Sequence, residues 1–82
     1  MAFQCTLAES GGVETLRKSF GARVVALRKS TGMSQEELDA VCGFARSYMS
    51  RVERGTSNLS LDAIERLASG LKITVSKLFE GL

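Results

Sequence analysis

Between Ser34 and Gly43 the sequence leaves room for a helix of about two turns and nothing longer. Ser34 can cap a helix start. Glu37, three residues on, completes a capping box in which serine and glutamate satisfy each other's backbone N–H groups. Gly43 supplies the stop, because glycine tolerates the left-handed conformation that ends a helix. Leu38, Val41 and Cys42 are the inward positions of the segment. A helix so short is unstable alone and forms only when packed, so its neighbours must be close.

The flanking sequence reads as more short helices. From about Val13 to Ser30, Leu16, Phe20, Val24 and Leu27 recur at helical spacing, with Arg28 and Lys29 in the last turn and Thr31–Gly32 as the end. Gly21 weakens the middle, leaving open a late start or a bend. A third helix runs from about Ala45 to Arg54 and ends at Gly55, followed by the polar loop Thr56, Ser57 and Asn58. Ser60 caps a fourth, with Leu61, Ile64, Leu67 and Ala68 inward and Gly70 as terminator. A fifth starts near Thr74 and carries Val75, Leu78 and Phe79. The predicted fold is all-α, a five-helix orthogonal bundle over residues 13–82. The Gly11–Gly12 pair sets off residues 1–12 as a flexible N-terminal tail.

Composition agrees with that reading and removes several functions. The 82 residues suffice for one domain, 44% of them hydrophobic, with no proline or tryptophan, four phenylalanines and one tyrosine. A sheet would want more aromatic and β-branched side chains. No apolar run approaches the roughly 20 residues that cross a bilayer, and the first residues lack the pattern of a secretion signal. A soluble, cytoplasmic protein is expected. The chain has two cysteines, Cys5 and Cys42, and no histidine. That excludes a disulfide framework and leaves no ligand set for zinc; no metal or other cofactor is expected. Cys42 reads as a small buried apolar residue and Cys5 as a free thiol. Without histidine, a nucleophile elbow or a phosphate-cradling loop, no enzyme is expected, and no small-molecule ligand is evident. The net charge of +2 permits nucleic-acid binding without proving it.

The position of the charges is more informative. At about 100° per residue, Arg46, Ser47, Ser50, Arg51 and Arg54 fall on one arc of the third helix. Tyr48, Met49 and Val52 lie opposite, and Glu53 sits at the boundary. Guanidinium forks suit guanine O6 and N7 or phosphate oxygens, although many charged helix faces are merely solvated. The short turn centred on Gly43 adds the spacing of a helix-turn-helix, in which one helix braces a second across the major groove.

On these residues the chain resembles a known family. The run "SQEELDAVCGFARSYMSRVERG", with "LRKSTGM" before it and "SNLSLDAIERLASGLKITVSKLFEGL" after it, is similar to the lambda-repressor/Cro superfamily, also called the XRE family. The likeness covers about Phe20 to Leu82. It implies a lambda-repressor-like DNA-binding domain that binds double-stranded DNA and regulates transcription. By the resemblance Gln35, Arg46, Ser47 and Arg51 would face bases, Gln35 alternatively a phosphate. Ser34, Ser50, Arg54, Thr56, Ser57 and Asn58 would lie along the sugar-phosphate backbone. Tyr48 stays open between a DNA contact and core packing. Glu53 would be repelled by phosphate and is implied to pair with Arg28 as a structural ion pair.

Three positions depart from the family pattern. Asp39 stands where alanine is usual, and its carboxylate must find a partner or solvent. Ala45 replaces a capping hydroxyl, a loss of about 1 kcal/mol. Leu59 replaces a frequent proline.

Ile73, Val75, Leu78, Phe79 and Leu82 exceed what one short helix buries; either they form a dimer interface or they close the core. The expectation is a homodimer on a near-palindromic operator, its half-sites about 34 Å apart. In length and in the loop "RGTSNLSLDAIERLA" the chain resembles the restriction–modification controller type within the family. A different class remains open: the same fold as a protein-interaction adaptor or antitoxin docking domain, with DNA contact secondary.

Overall fold

The computed structural model describes residues 12–82, in which five helices follow one another: α1 Gly12–Thr31, α2 Gln35–Cys42, α3 Tyr48–Glu53, α4 Leu61–Gly70 and α5 Val75–Leu78. No strand occurs among the described residues. The expected tail, with Cys5, lies outside them apart from Gly12, which opens α1. No described helix is long and apolar enough to cross a membrane.

Local chemistry sets the helix starts. The Ser34 hydroxyl accepts from the Glu37 N–H at 3.1 Å, while the Ser34 N–H donates to Glu37 Oε1 at 2.8 Å, closing the capping box. Ser60 accepts from the Ala63 N–H and Thr74 from the Lys77 N–H in the same manner.

Helix ends repeat one device. After α2, the Phe44 N–H reaches back to the Asp39 carbonyl and Gly43 to Ala40, with Gly43 in the left-handed region at φ 75°. The same pair of bonds closes α3 through Thr56 and Gly55, and closes α4 through Ile73 and Lys72. Gly70 is therefore not the terminator of α4. The helix runs through it, Gly70 packs against Cys42, and the reversal falls on Lys72 at φ 61°.

The core joins Phe20 and Val24 of α1, Leu38 and Cys42 of α2, Met49 and Val52 of α3, Leu67 and Ala68 of α4, then Leu71 and Leu78. Leu16, Val41 and Leu61, expected inward, are exposed, Leu61 at 84%. Periodicity marks an arc of a helix, but these three lie at its margin. At the start of α4, Leu59 turns in against the core, leaving Leu61 outside. Leu78 corrects the expected dimer interface: it is fully buried, at 0% exposure, within one copy and presents nothing to a second.

Gly21 neither delays nor breaks α1. A Cβ there would lie 2.7 Å from the carbonyl oxygens of both Val52 and Glu53. Only glycine lets α1 cross α3 this closely, and that crossing decides where α3 sits. A second tie holds the C-terminus to α1: Arg23 donates to the Lys77 carbonyl at 2.8 Å and meets Glu80 at 3.5 Å.

Candidate nucleic-acid interface

α3 presents two sides, because Met49 and Val52 are buried while Arg51 is exposed and Ser50 half-buried. Arg46, Ser47 and Arg54 flank the helix and are exposed as well. Three guanidinium groups and two hydroxyls thus lie on one side, with the core on the other.

The helix begins at Tyr48, not at Ala45 as the sequence suggests, so Arg46 and Ser47 belong to the preceding turn. There the Tyr48 N–H donates to the Ala45 carbonyl at 3.1 Å, and Ser47 stands in the left-handed region at φ 71°. Alanine at position 45 offers no side-chain acceptor for a helix start. Ser47 makes no capping bond among the described residues. The acceptor comes from α2 instead. Asp39, only 5% exposed, takes the Met49 N–H on Oδ1 at 2.9 Å. A carboxylate out of place beside the family pattern thus supplies the bond that Ala45 lacks. A polar recess of about 250 Å³ opens there, lined by Gln35, Glu36, Asp39, Arg46, Ser47 and Ser50.

The far end of α3 is held differently. Glu53 receives Arg28 through two bonds, Nε to Oε2 at 2.6 Å and a second guanidinium nitrogen to Oε1 at 3.1 Å. Arg28 also donates to the Met33 carbonyl at 2.9 Å. Gln35 Nε2 joins on Glu53 Oε1 at 2.9 Å. One carboxylate thereby ties α1, α2 and the turn between them to α3. The bonds to Glu53 hold Arg28 even more firmly protonated than usual, against the opposing effect of burial; the charges of Glu53 and Glu36 add to this.

The remaining sequence-named residues are placed as follows. The Ser34 hydroxyl accepts one bond in the cap and keeps its O–H to donate. Gln35 is half-buried, its Nε2 engaged on Glu53. Thr56 donates its hydroxyl to the Arg51 carbonyl at 3.1 Å, and Ser57 and Asn58 border a small apolar cavity beside Phe20 and Leu59. Asn58 is exposed and Ser57 half-buried. Tyr48 is half-buried, its ring centroid 4.4 Å from that of Phe44, and the Arg51 guanidinium carbon lies over the Tyr48 ring, 5.6 Å from its centroid. Ile73 and Phe79 are half-buried, while Val75 and Leu82 are 44% and 46% exposed.

Sequence reasoning missed two contacts, Asp39 to Met49 and Gln35 to Glu53. The first left a signal: a carboxylate on the bracing helix together with a missing acceptor at position 45. The second left none, since it joins residues 18 apart through the fold.

Comparison with known proteins points the same way. Residues 19–78 match a family described as a helix-turn-helix domain. The chain is 41% identical over 66 residues to the control protein C.BamHI of Bacillus amyloliquefaciens, covering 79% of this chain and 82% of that protein. It is 41% identical over 64 residues to the control protein C.MunI of a Mycoplasma species, covering 77% and 86%. Among solved structures, the restriction-modification controller protein C.AhdI from Aeromonas hydrophila superposes with a TM-score of 0.77 at 42% identity, covering 80% of this chain and 96% of that one.

Proposed function

The chain belongs to the helix-turn-helix domain family, and on that premise we propose that it is a transcription regulator of the controller type. In this reading it binds a near-palindromic site on double-stranded DNA as a homodimer. The observation that carries the reading is the outward side of α3 and its leading turn, where Arg46, Ser47, Arg51 and Arg54 are exposed together on a segment whose other side is fixed in the core. Arg46 and Arg51 suit bidentate readout of guanine in the major groove. Arg54, at the end of the helix, suits a phosphate, as does the Ser57 hydroxyl that follows it. Ser34 and the first backbone N–H groups of α2 offer a second phosphate contact.

Pairing of two copies is supported by Val75 and Leu82, exposed beside the half-buried Ile73 and Phe79. A single module reads few base pairs, and affinities near 10⁻⁸ M usually need two. The controller class is taken from the relatives, which are named control proteins.

Selection of bound duplexes from a random pool tests the reading and returns the site with its symmetry. Arg46→Ala and Arg51→Ala should each relax specificity at a defined base pair by about 1–3 kcal/mol, whereas Arg54→Ala should weaken all sequences alike. A pool that converges on no site would leave an interaction module as the better account.

A further inference from the structure

We infer that Asp39 is the positioning residue of the DNA-reading surface: from the bracing helix it holds the first turn of α3, and through it the turn that carries Arg46 and Ser47. The inference rests on the DNA-binding reading above. Besides Asp39, the turn Ala45–Ser47 is held by backbone bonds alone, from the Tyr48 N–H to the Ala45 carbonyl at 3.1 Å and from the Arg51 N–H to the Ser47 carbonyl at 3.4 Å. Ser47 occupies a backbone region that L-residues rarely adopt, and such a conformation persists only where its surroundings enforce it. The next backbone donor inside α3 is the Met49 N–H, and Asp39 takes it within the protein interior. An ionised acceptor in that position makes a charge-assisted bond, stronger than a neutral one.

The geometry also gives Asp39 a cost that a mere filler would not carry. Its charge lies at the recess between Gln35, Arg46 and Ser50, on the side where phosphates would approach. Removing it lowers repulsion toward any DNA while loosening the residues that read one sequence. General affinity and discrimination should therefore move in opposite directions, which loss of stability alone would not produce.

The test uses the full chain, its selected site and a scrambled duplex, in the same salt. Asp39→Ala should lower the ratio of specific to non-specific affinity about tenfold, with scrambled-duplex binding equal or tighter. Asp39→Asn keeps an acceptor oxygen and should hold that ratio within roughly threefold of the parent. A folded Asp39→Ala with the parent's ratio overturns the role. So does an Asp39→Asn that loses roughly tenfold, a result that decides the matter even where Asp39→Ala does not fold. Hydrogen exchange separates this from the premise: the Met49 amide should be protected in the parent and in Asp39→Asn. Fast exchange there in the parent overturns the cap while sequence-specific binding stands. A parent without sequence preference overturns the DNA reading, and this role with it, while the cap is still seen.

Discussion

The two ends of α3 are secured by opposite means. At Glu53 the helix is fastened to α1, α2 and their connecting turn by a carboxylate that accepts three bonds, its side chain 5% exposed and that of Arg28 13%. At Tyr48 it is entered through a left-handed serine and steadied by a carboxylate on another helix. The fastened end fixes how the helix lies on the body of the protein. The lightly held end carries Arg46 and Ser47. In a reader of DNA the first end would set the orientation of the helix, and the second would rest the geometry of the groups that meet bases on the single Asp39 bond.

Breaking the fastened end should have the largest effect. Glu53→Ala strands the Arg28 charge in a mostly enclosed site and leaves Gln35 without its acceptor, a loss of about 3 kcal/mol. Thermal denaturation should show a Tm more than about 10 °C lower for a domain of this size. A parent-like Tm would put both ends on the same footing. Gly21→Ala pushes a methyl group against two α3 carbonyls and should cost about 2 kcal/mol by the same measurement. If it melts like the parent, the crossing of α1 and α3 is looser than described. At the other end the sign reverses. Ser47→Gly removes the strain at φ 71° and should raise stability by less than about 1 kcal/mol, since glycine also loses more chain entropy on folding. No gain in Tm would mean that the strain at Ser47 is no larger than the chain entropy that glycine loses.

A further effect is a dependence on pH. Burial, and then the charge of Asp39, push the Cys42 thiol up to about 11 from an ordinary 9.0. A folded value above the unfolded one makes the contribution whole below about pH 9 and lost as pH rises toward 11. Across that window the parent's Tm should fall more steeply than that of Cys42→Ala, whose midpoint is lower throughout. Ionising this thiol places a second negative charge near Asp39, so it should trouble the lightly held end first. Parallel slopes would remove Cys42 from that end.

What was legible in the sequence was legible because it is local. The box at Ser34 and Glu37, the stop at Gly43 and the caps at Ser60 and Thr74 each involve residues within a turn of one another. The sidedness of the Arg46–Arg54 stretch survives even though its helix starts later, because Met49 and Val52 decide which way it faces. What depended on distant partners was misread or unseen. Gly21 looked like a weakness because the carbonyls that need its bareness lie 31 and 32 positions away. α3 starts three residues later than its own sequence suggests because the acceptor at its start is Asp39, ten positions before Met49. Leu78 stays open between an interface and the core in the sequence, because nothing in a four-residue helix tells which of its apolar side chains the body will swallow.

α1 has a consequence beyond packing. Arg23 pins the C-terminal turn to it and Arg28, five residues later, pins α3, so both hang from one helix. Two copies joined at their C-terminal faces would form a caliper with a preset gap. DNA would have to bring its half-sites to that gap, and one inserted base pair would displace a half-site by about 3.4 Å and swing it by about 36° around the duplex. Such a protein measures length as strictly as it reads letters.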